Sequence, residues 1–573
     1  MLNAEQSQLE KQILEILQSQ EISGIEGLEW TPVPFHGEWG ISTSFFKTAA
    51  QEARSGRKIN VPERAGELAD LVAERLKAGD SFSRGEAGNG YLNLFYKTGK
   101  FGQMVVDRVL EEGSNFGQGP STGKKVMVEF SQPNTHKAFH VGHLRSAILG
   151  DAVCRILEFA GLHVIKWLWN YQKHHAGEKP PQETTKWMGE LYAEANRRLA
   201  ENPDLESEIR ELYTRWDQRD PDVVNLWEET RSWSVAGFEQ LYEVLDIHFD
   251  RFYANSEVEV PGKEMVQDLI EEGIAEDLRP DDAVIVRIDE QLGLKKEKYR
   301  VLVVLRSDGT ALYATEDLAL ARLKFEEYDL DQSIYVVDVR QSLHFQQVWK
   351  TLEIAGYEWA DKLRHLSYEL VNLPGNVVMA SREGTVVLLE DLIQEARSRA
   401  LEVVEEKNPD LDSGLKQEVA NAVGLGAIKF PMLDRDNTRV VTFDWETALD
   451  FNGQAAPYIQ YAHVRANSIL EKADSKSDST EVQYKLDPAE IALIENLSQF
   501  PEVVQKAAAE LKPLHITNAA YELARSFNNF YRVCPVLNAE SEVREFRLRI
   551  VKASRCVLSS ALGLLGITAP DVM

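Results

Sequence analysis

The apolar positions change period along the chain, and each change marks an element. Leu9, Ile13, Leu14 and Leu17 recur at helical spacing near the start. Gly88-Asn89-Gly90 introduces residues 91–95, Tyr-Leu-Asn-Leu-Phe, which read as a strand. Gly, Ser and Pro gather over 113–125 and predict a linker. A short apolar run at 126–130 predicts another strand, stopped by Pro133. Leu144, Ile148, Leu149 and Val153 then return to helical spacing, so a helix follows that strand. From Lys124 onward strands and helices alternate, the pattern of a parallel α/β sheet. Residues 174–275 break the rhythm with long, charged, Trp-containing helical patterns, which predict a mostly helical insertion. The sheet is expected to resume with strands at 283–287 and 299–305, a turn at Ser307-Asp308-Gly309, and a buried strand at 334–337. After about residue 440 almost everything is helical, apart from a polar loop at 471–485.

At 573 residues the chain is too long for one core. The pattern divides it into an α+β unit over 1–120, a parallel-sheet α/β unit over 121–439 with the insertion, and an all-α unit over 440–573. Hydrophobic content of 43% and charged content of 27% are those of a soluble globular protein. No apolar run approaches a membrane span, and the N-terminus lacks the shape of a signal peptide. Cys154, Cys534 and Cys556 form no C-x-x-C pair, so neither a disulfide framework nor a metal site is expected, and a reducing cytoplasm is the expected location. The net charge of −29 should repel nucleic acid over much of the surface. An RNA-binding protein of this composition needs local basic patches. Arg544, Arg547, Arg549, Lys552 and Arg555 supply one candidate, with a solvated helix face as the plainer reading.

The densest chemistry lies at 129–145, Glu-Phe-Ser-Gln-Pro-Asn-Thr-His-Lys-Ala-Phe-His-Val-Gly-His-Leu-Arg. His140 and His143 fall three apart at the start of a helix that follows a strand. Free N–H groups and the positive helix end there attract a nucleotide phosphate, and Gly142 has no side chain to block the approach. Both imidazoles can then reach one phosphate chain. The stretch closely resembles the signature of class I aminoacyl-tRNA synthetases and, within that class, is similar to the arginyl-tRNA synthetase version. Residues 88–94, Gly-Asn-Gly-Tyr-Leu-Asn-Leu, resemble the end of that family's N-terminal tRNA-contacting domain. Pro457-Tyr458-Ile459-Gln460-Tyr461-Ala462-His463 and the chain's ending resemble its helical anticodon-binding domain.

The resemblance implies a Rossmann-like catalytic domain that ligates L-arginine to its tRNA through an arginyl-adenylate, using ATP with Mg2+ as its complex. It implies His140, His143 and Lys137 as catalytic residues. It implies contact with ATP by Ser131, His140, Gly142, His143, Met379, Ser381 and Arg382, and with arginine by Glu129, Asn134, Tyr313, Asp317 and Gln341. A monomer is expected. The second class I signature, usually written K-M-S-K-S, matches Val378-Met379-Ala380-Ser381-Arg382, with other residues at both lysine positions. Lys137 is assigned the missing cation's role, because negative charge grows on pyrophosphate as it leaves. Independently of any family, Glu129 and Gln341 just past strand ends suit a ligand crevice, because such crevices form there in α/β sheets.

One stretch departs from the family. Its members carry a further strand and an Asn-Tyr-x-Gly-Asp-x-Gly element after the first-signature helix, whereas here Gly161 runs straight into Leu-His-Val-Ile-Lys-Trp-Leu-Trp-Asn-Tyr. The simpler reading is a missing strand and loop, with Trp167 and Trp169 on a helix. It favours a tRNA-binding protein with little ligase activity. The competing reading lets residues 164–169 fill the strand position. A third possibility is a different nucleotidyl transferase, which the helical tail opposes.

Overall fold

The computed structural model describes residues 3–20, 22, 27–54, 59–77, 79–131, 141–170, 201, 215, 220–373, 377–378, 388–473 and 482–573. At 141–143, 163–170 and some other helix and strand positions it describes the backbone alone. The chain forms two compact units. One joins Met1–Phe116 with Ala466–Gln499 and Arg525–Val557, the other Gly117–Arg465 with Phe500–Ala524 and Leu558–Met573. The boundaries expected at 120 and 440 follow chain order, whereas the units interleave in the last third.

In the first unit α1 (Asn3–Gln18) buries Leu9, Ile13 and Leu17, the stripe that its spacing predicts. An antiparallel sheet follows, in the order β1 (Trp30–Pro32), β2 (Gly40–Ser44), β4 (Tyr91–Tyr96), β3 (Phe82–Gly88). Helices α2 (Phe46–Arg54), α3 (Val61–Arg75) and α4 (Thr98–Glu112) complete this α+β region. Asn89 and Gly90 both take positive φ, 51° and 81°, and close the β3–β4 hairpin with the hand that matches strand twist.

The second unit is built on a five-stranded sheet, parallel throughout. Its order is β12 (Leu363–Tyr368), β11 (Gln332–Asp338), β5 (Lys125–Glu129), β6 (His163–Asn170), β7 (Arg251–Ala254). Helix α5 (Val141–Phe159) crosses between β5 and β6. From Leu144 to Cys154 it is buried at every position. Gly150 lets Phe130 lie directly against it, since a Cβ there would sit 2.1 Å from the Phe130 ring.

Two expectations are corrected, and a third gains a strand. Residues after Gly161 form strand β6, parallel to both neighbours, so no sheet position is left unfilled and Trp167 and Trp169 lie on a strand. The insertion expected to be mostly helical over 174–275 is so over its described residues, with α6 (Pro221–Val244) and α7 (Asn255–Glu271), and between them it also returns β7 to the main sheet. The strands expected to resume that sheet at 283–287 and 299–305 instead form a separate antiparallel sheet, β8 (Glu276–Asp277), β9 (Val284–Arg287) and β10 (Val301–Leu305). Their extended character was readable from apolar runs; their partners depend on tertiary packing.

Helix α8 (Tyr313–Tyr328) packs Ala319 and Leu320 into a cluster with Met127 of β5, Tyr253 of β7 and Val258 of α7. Helix α9 (Ser342–Ile354) follows β11. A small sheet orders β14 (Val377–Val378), β13 (Val371–Leu373) and β15 (Val441–Thr442). Helices α10 (Leu389–Lys407), α11 (Ser413–Leu433), α12 (Ala456–Lys472), α13 (Pro488–Glu510), α14 (Leu514–Val533) and α15 (Ser541–Leu564) make up most of the rest. In α15 the basic cluster is not one solvated face. Arg549 is buried and ion-paired with Asp107, Arg547 pairs with Glu490 at 2.8 Å, and Lys552 is exposed.

Candidate functional site

Strand order locates the crevice before any side chain does. The chain steps from β5 outward through β6 and β7, then returns to the other side of β5 for β11 and β12. The direction reverses between β5 and β11, and in open α/β sheets ligands bind outside the carboxyl ends of strands at such a switch point. Glu129 ends β5, and Asp338 ends β11.

Glu129 is 4% exposed and forms an ion pair with Lys324, which has no exposed surface. Lys324 reaches it from α8, with its Nζ 4.0 Å from the centroid of the Tyr335 ring of β11. Burial pulls the Lys324 ammonium down from its ordinary pKa, and the Glu129 carboxylate opposes that shift. Ser131, two residues on, takes φ 59°, a rare conformation for a residue with a side chain. Its amide donates to Ser146 Oγ at 3.0 Å, and its hydroxyl lies 2.8 Å from the Tyr242 hydroxyl. Ser131 is fully buried, and these two contacts hold it where the chain leaves β5.

Tyr313 and Asp317 sit one turn apart at the start of α8. Thr315 sets that start: its hydroxyl accepts from the Leu312 amide at 3.2 Å and donates to the Val304 carbonyl of β10. Tyr313 is 56% exposed. Asp317 Oδ2 lies 2.6 Å from His344 Nε2 of α9, and both side chains are mostly buried. Gln341 is exposed and ends the 3-10 turn Val339–Gln341 that follows β11. Asp338 holds this turn, accepting from the Arg340 amide and from Arg340 Nε, each at 2.8 Å.

Four expected arginine contacts, Glu129, Tyr313, Asp317 and Gln341, thus stand on β5, on α8 and just past β11. Asn134, Lys137, His140, Met379, Ser381 and Arg382 lie outside the described residues. Gly142 and His143 are described by backbone alone, in the first turn of α5.

Three further groups escaped the sequence reading. Lys324 and His344 partner the two expected carboxylates. Arg145, two residues after His143, is fully buried. Its Nη1 faces the carbonyls of Glu369, Leu370 (3.3 Å) and Arg439 (2.9 Å), and its Nη2 that of Asn437 (3.5 Å). Those carbonyls lie just ahead of β13 and β15, so Arg145 latches the first-signature helix to the small sheet whose strand β14 opens the second signature. Burial lowers its pKa to about 10. The signal available was a charge among the apolar positions of α5, because a buried charge must be satisfied internally.

Comparison with known proteins gives the family and the fold. Residues 105–445 match the family model described as tRNA synthetases class I (R), catalytic domain, and 459–573 match the DALR anticodon binding domain. An arginine–tRNA ligase of Alkaliphilus metalliredigens is 32% identical, covering 99% of this chain and 100% of its own length. One from Clostridium perfringens is 35% identical over 96% and 97%. The solved arginyl-tRNA synthetase of Thermus thermophilus superposes with a TM-score of 0.73 at 27% identity, covering 100% of both chains. That of Plasmodium falciparum, at 19% identity and a TM-score of 0.72, shares the fold.

Proposed function

Since the chain belongs to the arginine-specific class I tRNA synthetases, we propose how its own residues carry the family's reaction. The protein is an aminoacyl-tRNA ligase that charges tRNA with arginine at the expense of ATP. Arginine presents two cationic ends. Of the carboxylates at the crevice, Glu129 and Asp317 stand on the adjacent elements β5 and α8. Asp317 with Tyr313 takes the guanidinium, since a forked donor set selects a carboxylate acceptor. Glu129, with Asn134 and Gln341, takes the amino-acid end.

The arginine carboxylate attacks the α-phosphate of ATP in line, pyrophosphate leaves, and arginyl-adenylate forms. A terminal hydroxyl of tRNA then attacks the activated carbonyl. No protein nucleophile takes part, so positioning and electrostatics carry the rate. His140, His143 and Lys137 stabilise the departing pyrophosphate, with Gly142, Met379, Ser381 and Arg382 around the nucleotide and Mg2+ arriving as its complex. Residues 1–120 contact the tRNA body, 121–439 carry the chemistry and 440–573 read the anticodon. The protein acts as a monomer in the cytoplasm. Among the described residues no helix is long and apolar enough to cross a membrane.

The observation that carries the assignment of the site is the β5/β11 switch point, with Glu129 at one of its ends. The alternative of an impaired tRNA-binding protein rested on a strand and a loop missing after Gly161; β6 fills the strand position, and the residues directly after it, 171–200, lie outside the described residues. ATP–pyrophosphate exchange tests the reading. Exchange should require arginine and tRNA together; robust exchange with glutamate, cysteine or methionine would contradict it.

A further inference from the structure

Lys324 has no part in the reaction as described, yet it is a cation with no exposed surface, placed directly behind Glu129. Such a charge is costly to bury, and the fold keeps it. Three features define its place. Its ammonium bonds Glu129 Oε2. It lies over the face of the Tyr335 ring at 4.0 Å, and that ring is itself buried on β11. It stands seven residues after Asp317, two helical turns along α8, so both share one face of that helix. The same face therefore carries Tyr313 and Asp317 at its open end and Lys324 at its closed end.

A carboxylate at the 4% exposure of Glu129, without a cation, would take up a proton or swing away from the crevice. With Lys324 beside it, the carboxylate has a partner for its charge and is fixed in direction. A carboxylate offers about four acceptor positions, so an ammonium on Oε2 and a substrate ammonium can share it.

We propose that Lys324 is a positioning residue for arginine binding, acting through Glu129 by holding its carboxylate charged and aimed into the crevice between β5 and β11. It touches neither substrate. The proposal rests on the reading of Glu129 as an arginine contact.

A double-mutant cycle separates the two. Arginine KM, ATP KM and kcat are measured by tRNA-dependent ATP–pyrophosphate exchange for Glu129→Gln, Lys324→Met, Lys324→Arg and Glu129→Gln/Lys324→Met. Lys324→Met should raise arginine KM on the order of a hundredfold, since removing one partner of a buried pair leaves the other uncompensated, with ATP KM unchanged. Lys324→Arg should recover part of that loss. The double variant should match Glu129→Gln alone, because Lys324 has nothing left to act on. The double variant also carries a neutral pair, so it keeps the test open where Lys324→Met fails to fold. A folded Lys324→Met with wild-type arginine KM, or a double variant whose effect is the product of the single ones, would overturn the proposal. An unchanged arginine KM in Glu129→Gln would instead remove the reading of Glu129 itself.

Discussion

Lys324 and Arg145 are both cations without exposed surface, and the fold settles their charges in different ways. Lys324 meets a carboxylate, Glu129, at the end of the central strand β5. Arg145 meets backbone carbonyls of Glu369, Leu370 and Arg439. A carbonyl-held cation neutralises no side chain. Arg145 joins chain segments, and its removal takes a donor from the Glu369 and Arg439 carbonyls, whereas Leu370 and Asn437 keep the backbone amides of Val441 and Glu369. A carboxylate-held cation controls the charge and direction of another reactive group. The first arrangement is joinery, whereas the second sits where substrate recognition is proposed. Lys429 belongs with Arg145. It is nearly fully buried on α11, and its Nζ donates to the carbonyls of Leu245 and Gly566.

The contrast is broken most directly by removing the Arg145 guanidinium. Arg145→Met should destabilise the protein by about 3 kcal/mol, because buried acceptors left without donors each cost about 1–3 kcal/mol. Thermal melting measures this. Arginine KM of the folded fraction should stay near wild type. A stable variant with a large arginine defect would place Arg145 with Lys324 and erase the distinction.

A smaller effect sharpens the comparison through pH. Burial lowers the Lys429 pKa from 10.5 to about 8, partly offset by Asp151 and Asp246. Below about 8 the folded chain carries the ammonium at a cost. Between 8 and 10.5 the unfolded chain holds a proton that the folded chain has released, so stability rises with pH in that window. The gain is roughly 2–3 kcal/mol across it. In Lys429→Met this rise should vanish, which the difference between two melting series from pH 8 to 10.5 would reveal. Parallel series would mean that Lys429 titrates as it does in water.

Much of this was legible in the sequence because the strongest signals are local. The run at 126–130, the helical repeat from Leu144 and the apolar block at 334–337 each specify an element without knowing its neighbours. Glu129, Tyr313, Asp317 and Gln341 are proposed through the family pattern, and their places at strand ends give a separate reason for Glu129 and Gln341. What escaped depends on tertiary packing. Strand β7 is four residues long inside a charged, helical stretch, and it is a strand because β6 lies beside it. Lys324 falls in Arg-Leu-Lys-Phe-Glu-Glu, which reads as a solvated helix face; β5 and β11 passing beneath α8 turn it inward. Arg547 and Arg549 misled in the same way, since their acidic partners Glu490 and Asp107 lie far off in sequence.

The central claim is that fixed carboxylates at the crevice end of β5 and α8 read the charges of arginine, and Asp317 tests it best. The measurement is the arginine KM, against that of citrulline, its uncharged analogue, in tRNA-dependent exchange by the wild type and by Asp317→Asn. Losing one partner of a buried charged pair costs about 3–5 kcal/mol, so arginine KM should rise by at least about a hundredfold. The discrimination between arginine and citrulline should collapse, with melting little changed. An Asp317→Asn enzyme that keeps the wild-type arginine KM and the wild-type discrimination would return Asp317 to an ordinary partner of His344 and contradict the account.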